Sequence, residues 1–254
     1  MYNKIKKLTK YFKAFGFINT LKYSILSFLN FKRLVKFELN NFNIFLRTQS
    51  TDLKASYQNL FDEFDELKNF IDKSFDGLVV DAGGYIGISS IKINLLFPKS
   101  KIIVLEPNSE NFEVLKQNVE QFLNIKPFNV ALSGKHSKEI ILNDRGTGEW
   151  GFSTAELNDT NLKKNSSVKC LNLERILLDN ANNKIDLLKL DINGAEKEIF
   201  ELNYDILKDI DLIYVELHER IMPGSFQVFK DFNDKENRNL LEVKKNRTFI
   251  SSKV

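Results

Sequence analysis

From residue 78 onward, short apolar runs alternate with longer stretches in which apolar residues recur at helical spacing. The runs 78–81, 101–106, 127–132, 185–190 and 211–217 predict strands, and 85–96, 109–124, 173–180 and 194–202 predict helices. In the helix at 109–124, Phe112, Leu115, Val119, Phe122 and Leu123 fall on one face. Asn108 or Ser109 supplies a capping oxygen for its first free amides. This alternation predicts an α/β fold built on a doubly wound, mostly parallel sheet. The glycine-containing stretch 138–156 breaks the rhythm and is expected to form a hairpin or a loop over the site. An extra strand is expected at 167–171 and a closing hairpin within 226–250. Upstream, 3–30 predicts one or two helices broken near Gly16, 35–46 a hairpin turning at Asn40 and Asn41, and 52–73 a helix. The expected organisation is a basic, aromatic-rich helical extension over 1–37 and one larger domain over 38–254.

Charge gives the extension a character of its own. Residues 1–37 hold nine cations and no acid, whereas the remainder carries 28 cations against 34 acids, a net of −6 within an overall +3. Lysines interleaved with Tyr2, Tyr11, Phe12, Phe15, Phe17 and Phe28 make this segment a candidate for peripheral contact with an anionic membrane. The competing expectation is a solvated helix that packs its aromatic face on the main domain. Nucleic acid is not expected as a partner, because the rest of the chain is acidic. No apolar run reaches the roughly 18 residues of a membrane span. The N-terminal stretch also lacks the apolar core and small-residue cleavage site of a signal peptide. A cytoplasmic protein is expected, with any membrane contact at the inner face. The single cysteine, Cys170, cannot form an intramolecular disulfide, and no CxxC or Cys/His cluster suggests structural zinc.

The candidate chemistry begins at 78–87, LVVDAGGYIG, where an apolar run ends in Asp81 and a turn containing Gly83, Gly84 and Gly87 leads into a helix. This strand, turn and helix deliver a cofactor to the carboxyl end of an open sheet, the glycines allowing a sharp turn and close approach to backbone amides. Glu106, 25 residues after Asp81, closes the second strand. An acid there suits the two hydroxyls of a ribose, which nicotinamide dinucleotides and S-adenosylmethionine both carry. The turn separates them: a carboxylate before it would repel a pyrophosphate but suits a cofactor bearing sulfonium and ammonium groups. The later strands deliver Ala131, Asp191, Glu216 and His218 to the same end. Asp191 and His218 are candidate general bases, the latter with an ordinary pKa of about 6.5. Asp191, Glu216 and His218 also admit an oxygen-rich divalent metal site. Glu196 is expected to do no more than favour the dipole of its helix. Trp150, in the loop 144–153, is a candidate to stack on an acceptor ring, or else simply anchors a hairpin.

DAGGYIG, VLEPNSENFEVLKQNV, NVAL, LLKLDINGAEKEIF and VELHE, taken in order, resemble the FkbM-type methyltransferases, as does the upstream stretch IFLRTQSTDLKASYQNLF. The resemblance spans about residues 42–220 and implies a class I, Rossmann-like, S-adenosylmethionine-dependent fold. It implies transfer of a methyl group to a hydroxyl, most often of a sugar or polyketide-type acceptor, in glycan modification. It also implies positions for individual residues. Asp81, Gly83, Gly84 and Gly87 would surround the methionine part of the cofactor, Glu106 would hold the ribose, and Asn108 and Ala131 would lie by the adenine. Asp191 would face the methyl group and the acceptor. One departure stands out: the family often has D-x-E-G-x-E where this chain has Asp191-Ile192-Asn193-Gly194-Ala195-Glu196. Glycine instead of alanine at Gly84 is expected to be harmless. A nicotinamide-dependent oxidoreductase, a methyltransferase of non-carbohydrate acceptors and a non-catalytic cofactor-binding protein are the alternative readings.

Overall fold

The computed structural model describes residues 2–39, 41–155, 164–180, 184–245 and 247–254. The chain opens with helices α1 (Tyr2–Phe15) and α2 (Phe17–Phe28), parted by Gly16 at φ 82°. Strands β1 (Leu34–Glu38) and β2 (Asn43–Arg47) form the expected antiparallel hairpin. Its tip residue Asn40 lies outside the described residues. The single helix expected over 52–73 is instead α3 (Asp52–Tyr57), a π turn (Gln58–Asp62) and a 3-10 turn (Asp65–Asn69). The break falls where Phe64 takes a left-handed conformation, φ 70°, and packs its ring 4.8 Å from that of Tyr214.

The alternating region follows: β3 (Leu78–Ala82), α4 (Ile88–Leu96), β4 (Lys101–Leu105), α5 (Ser109–Val119) and β5 (Ile125–Phe128). Asn108 caps α5, its Oδ1 accepting from the Asn111 amide. Because α5 ends at Val119, Leu123 does not join its buried face and is 98% exposed. The run 127–132 is not one strand. It divides between β5 and the short β6 (Ala131–Leu132), which enters a second sheet with β7 (Glu139–Asp144), β8 (Phe152–Ser153) and β9 (Lys164–Leu171). Residue 156, the end of the expected loop over the site, lies outside the described residues. The chain continues through α6 (Leu173–Asp179), β10 (Leu187–Leu190), α7 (Glu196–Leu202), α8 (Tyr204–Leu207) and β11 (Leu212–Glu216). The closing hairpin lies later than expected. Residues 225–235 form α9 (Ser225–Lys235), and β12 (Asn239–Lys244) pairs with β13 (Thr248–Ser252).

The main sheet runs β12-β13-β11-β10-β3-β4-β5, with β13 antiparallel to both neighbours and every other neighbouring pair parallel. Side chains alternate across it with the period of two that a pleated strand imposes. Val79, Ile102, Val104, Leu187, Leu212 and Ile250 face one apolar cluster, with α4, α5 and the β1–β2 hairpin. Val80, Ile103, Leu105, Leu188, Ile213 and Phe249 face the other, with α6, α7 and α9. Burial on both faces is why these strands read as continuous apolar runs.

The N-terminal helices share the first of these clusters through Tyr11, Phe15 and Tyr23. Phe15 is the anchor, fully buried with ring centroids of Phe37, Phe61 and Tyr57 at 5.6, 5.8 and 6.3 Å. Phe15→Ala is expected to destabilise the whole chain by about 3–5 kcal/mol in urea unfolding. A loss below about 1 kcal/mol would show α1 to be only loosely held.

Candidate active site

Three strand ends, β3, β10 and β11, converge on a cavity of about 980 Å³. At the tip of β3 the turn is packed from within. The Gly83 and Gly84 amides both donate to the Leu105 carbonyl, at 3.0 and 2.9 Å, and Gly87 N donates to Gly84 O. These amides are therefore not bare donors for a ligand. What the glycines provide is room. A Cβ on Gly83, at φ 80°, would lie 1.9 Å from the Asp191 carbonyl oxygen, and one on Gly84 would lie 2.1 Å from Val104 Cγ2. Alanine at 84 is thus not an innocent exchange in this chain.

Asp81 does not reach the cavity. It is completely buried, 3.0 Å from Lys189 Nζ, and its Oδ2 accepts from the hydroxyls of Ser89 and Ser90 at 2.6 Å. Lys189 in turn donates to Gly83 O at 2.8 Å and lines the cavity itself. Burial alone would lower the Lys189 pKa, but the charges of Asp81 and Asp191 outweigh it and hold the ammonium charged. Asp81, Gly87 and Asn108, expected near the cofactor, are not among the residues that line the cavity. Asp81 neutralises a buried lysine, Gly87 begins α4 in the left-handed region, and Asn108 is occupied in capping α5.

Gly83, Gly84, Glu106, Ala131, Asp191 and His218 do line it. Glu106, 5% exposed, accepts from the amides of Tyr85 and Asn108, both at 2.9 Å. Burial outweighs these bonds and raises its pKa from 4.5 to about 7. Deeper in, His218 is gripped on one side and open on the other. Its Nδ1 lies 3.0 Å from Glu196 Oε1, while Nε2 lies 3.4 Å from Glu216 and 3.7 Å from Asp191. Burial would lower the imidazole pKa, but the bond and charge of Glu196, with Asp191 and Glu216 beyond, raise it to about 9. Glu216 is itself raised, by burial and by Asp191, despite the Arg247 Nε donating to it at 2.7 Å.

Glu196 is the residue that sequence reasoning undervalued. It is fully buried and accepts from the amides of Ile192 and Gly194 as well as meeting His218. The signal available was its position, five residues after Asp191 and at the first residue of α7. Glu196, Asp191 and His218 present ligand atoms within 4.8 Å of one another, so the trio that gathers is not the one expected, which had Glu216 in place of Glu196. Both Glu196 oxygens are already bonded to the protein, which favours an orienting role over metal ligation. Asn193 explains the departure from D-x-E-G-x-E. Held at φ 54°, its amide donates to the carbonyls of Trp150 and Phe152 at 3.0 Å, which a carboxylate could not do. Sequence reasoning also passed over Asp52, buried beneath the cavity wall. It receives two bonds from the Arg47 guanidinium, at 3.0 and 2.9 Å, and one from the Tyr85 hydroxyl. Asn111 joins this group to the loop by donating to Glu149 O at 2.7 Å.

The methyltransferase FkbM domain matches residues 81–246, well over half of the chain. The protein belongs to the FkbM methyltransferase family. No curated protein matches the sequence. Among solved structures, TYW2 of M. jannaschii, determined with AdoMet, is similar at 14% identity over 87% of this chain and 85% of that one (TM-score 0.46). The Methanococcus jannaschii fibrillarin pre-rRNA processing protein follows at 10% identity over 87% and 82% (TM-score 0.46). Precorrin-6y C5,15-methyltransferase of Geobacter metallireducens GS-15 matches at 13% identity over 80% of this chain and 89% of that one (TM-score 0.43). Likeness at this level is confined to the general fold. The protein is therefore a methyltransferase on an α/β fold with a mostly parallel central sheet, and S-adenosylmethionine is the methyl donor of the family to which it belongs. The nicotinamide alternative falls with that result.

The cavity fits this donor. Within a lining of both signs, Glu106, Asp191 and Glu216 gather at the strand ends, where they suit the sulfonium and ammonium groups of such a ligand. The buried Tyr214 hydroxyl lines the same space with no hydrogen-bond partner among the described residues. Glu106 would hold ribose hydroxyls, Ala131 and Leu132 would border the adenine, and Asp191 would stand at the reacting end.

Glu106→Ala is expected to weaken S-adenosylmethionine binding at least about 100-fold by calorimetry, through loss of a buried charge-assisted acceptor. Glu106→Gln tests the electrostatics. A carboxyl whose folded pKa lies above its unfolded value costs stability progressively as pH rises from 4.5 through about 7. The stability of Glu106→Gln relative to wild type should therefore climb by about 3 kcal/mol across that window and then level off. A flat difference would show that Glu106 titrates normally.

Proposed function

We propose that the protein methylates a hydroxyl group of a carbohydrate, and that His218 is its general base. The observation that carries this reading is the Glu196–His218 pair: a buried carboxylate fixes Nδ1, leaving Nε2 as the ring nitrogen turned toward Asp191 and the cavity. In that arrangement the carboxylate sets the tautomer and supports the imidazolium that forms on proton uptake. S-adenosylmethionine, when bound, supplies a methyl group on a sulfonium carbon that needs no further activation. The task left to the protein is to align the acceptor hydroxyl and accept its proton at Nε2. Asp191, more exposed than His218, is suited to hold the hydroxyl in place.

The mouth supports a sugar acceptor. Gln58, Asn59, Arg145, Thr147 and Thr154 line it around the single tryptophan ring of Trp150, a surface of many donors and acceptors beside one flat apolar face. Lys54 lies 4.5 Å from the centre of that ring. Lys54, Arg145, Arg220 and Lys245 all line the cavity without a carboxylate partner among the described residues. Such cations suit the phosphate of an activated sugar or glycan precursor.

The test is transfer of labelled methyl from S-adenosylmethionine to a panel of nucleoside-diphosphate sugars. The product should be an alkali-stable ether, with kcat/KM rising with pH toward the His218 value of about 9. His218→Gln should lower kcat by about 100-fold or more and flatten that limb, with cofactor binding unchanged. An alkali-labile ester product, or an unaltered pH profile in the variant, would overturn the proposal.

A further inference from the structure

Helix α2 has two apolar faces and the main domain covers only one. Thr20 and Tyr23 are buried against the core, Tyr23 with its ring 5.7 Å from that of Phe37. On the opposite side Phe17, Phe28, Leu21, Ile25, Ile18 and Leu29 fall within about 120° of arc at 100° per residue, and they are 40–88% exposed. Phe31 and Leu34 extend this surface toward β1. An apolar patch of this continuity on an otherwise ordinary surface marks an interaction site.

Charge decides what the patch meets. Lys13, Lys22, Lys32, Arg33 and Lys36 are exposed around it, and no acid occurs before Glu38. A second copy of the chain would bring the same cations to the interface and repel. An anionic lipid surface would offer an apolar interior to the rings and negative headgroups to the lysines. The descent from this face to the catalytic site is short in terms of residues. A recess of about 310 Å³ lined by Lys32, Arg33 and Arg47 includes Glu149, which also lines the catalytic cavity. No helix of the described residues is long and apolar enough to cross a membrane, so the contact is a peripheral one.

We infer that α2 docks the protein on an anionic bilayer, its exposed face entering the interface and the basic residues around it meeting acidic headgroups. This does not rest on the identity of the acceptor or on the role of His218.

The full-length protein is sedimented with phosphatidylcholine vesicles containing about 30% phosphatidylglycerol, and with vesicles of phosphatidylcholine alone. Binding to the anionic vesicles is expected, at least about tenfold tighter than to neutral ones and weakened by salt. The double variant Ile18→Asp, Phe28→Asp should lose it by about 100-fold. Both positions are exposed, and unchanged S-adenosylmethionine binding by calorimetry confirms that the variant is folded. Failure of the wild type to bind anionic vesicles would overturn the inference, as would equal binding by the double variant. So would sedimentation equilibrium showing a dimer that the double variant dissolves, because the face would then be a contact between copies of this chain.

Discussion

The ion pair between Asp81 and Lys189 is the constraint on which the active site rests. It joins the carboxyl ends of the two central strands, β3 and β10, in the register where these residues face one another. Two serines at the start of α4 complete the carboxylate, and the Gly83 carbonyl completes the ammonium. A buried charge stripped of its partner is far more costly than the pair is beneficial, so the two residues specify one another and with it the alignment of the strands. The glycine turn and the Asp191 carbonyl are then pressed together so closely that only a residue without a side chain fits at 83.

Around that rigid base the strand ends gather the carboxylates of Glu106, Asp191 and Glu216 within a lining that also carries lysines and arginines. Glu106 and Glu216 are both raised above their ordinary pKa by burial, and Glu216 further by its neighbour Asp191. His218 is raised as well, to about 9, which keeps its imidazole charged as the local counterion. The strand-end carboxylates favour a ligand that arrives with positive charge, as a sulfonium compound does.

The strands, their order and the strand-end acids were legible because burial on both faces and the period-two and helical patterns leave strong traces in local sequence. Glu106 and His218 could be placed from strand ends alone. The partners that give these residues their properties were not legible, because they are supplied by contacts across long sequence separations. Asp81 read as a ligand-facing acid, and only the pairing of β3 with β10 shows that Lys189 claims it. Glu196 read as a helix-terminal charge until β11 brought His218 to it. Asn193 read as a defect in a motif, whereas its amide answers two carbonyls 41 and 43 residues away. The N-terminal helices posed the reverse difficulty. Of their aromatic residues, one set packs its rings in the core and another is left outside, a division that composition alone does not reveal.

The place of β13 sets a condition on how the molecule comes into being. Residues 248–252 lie between β11 and β12, although β12 precedes them in sequence. On a ribosome, the edge of β11 therefore emerges well before the segment that covers it, and β12 has no sheet to join until that segment is made. The parallel core can assemble during synthesis, but its open margin closes only once residues 248–252 have been made. The interval between the two is when the nascent chain is most exposed to pairing with another strand.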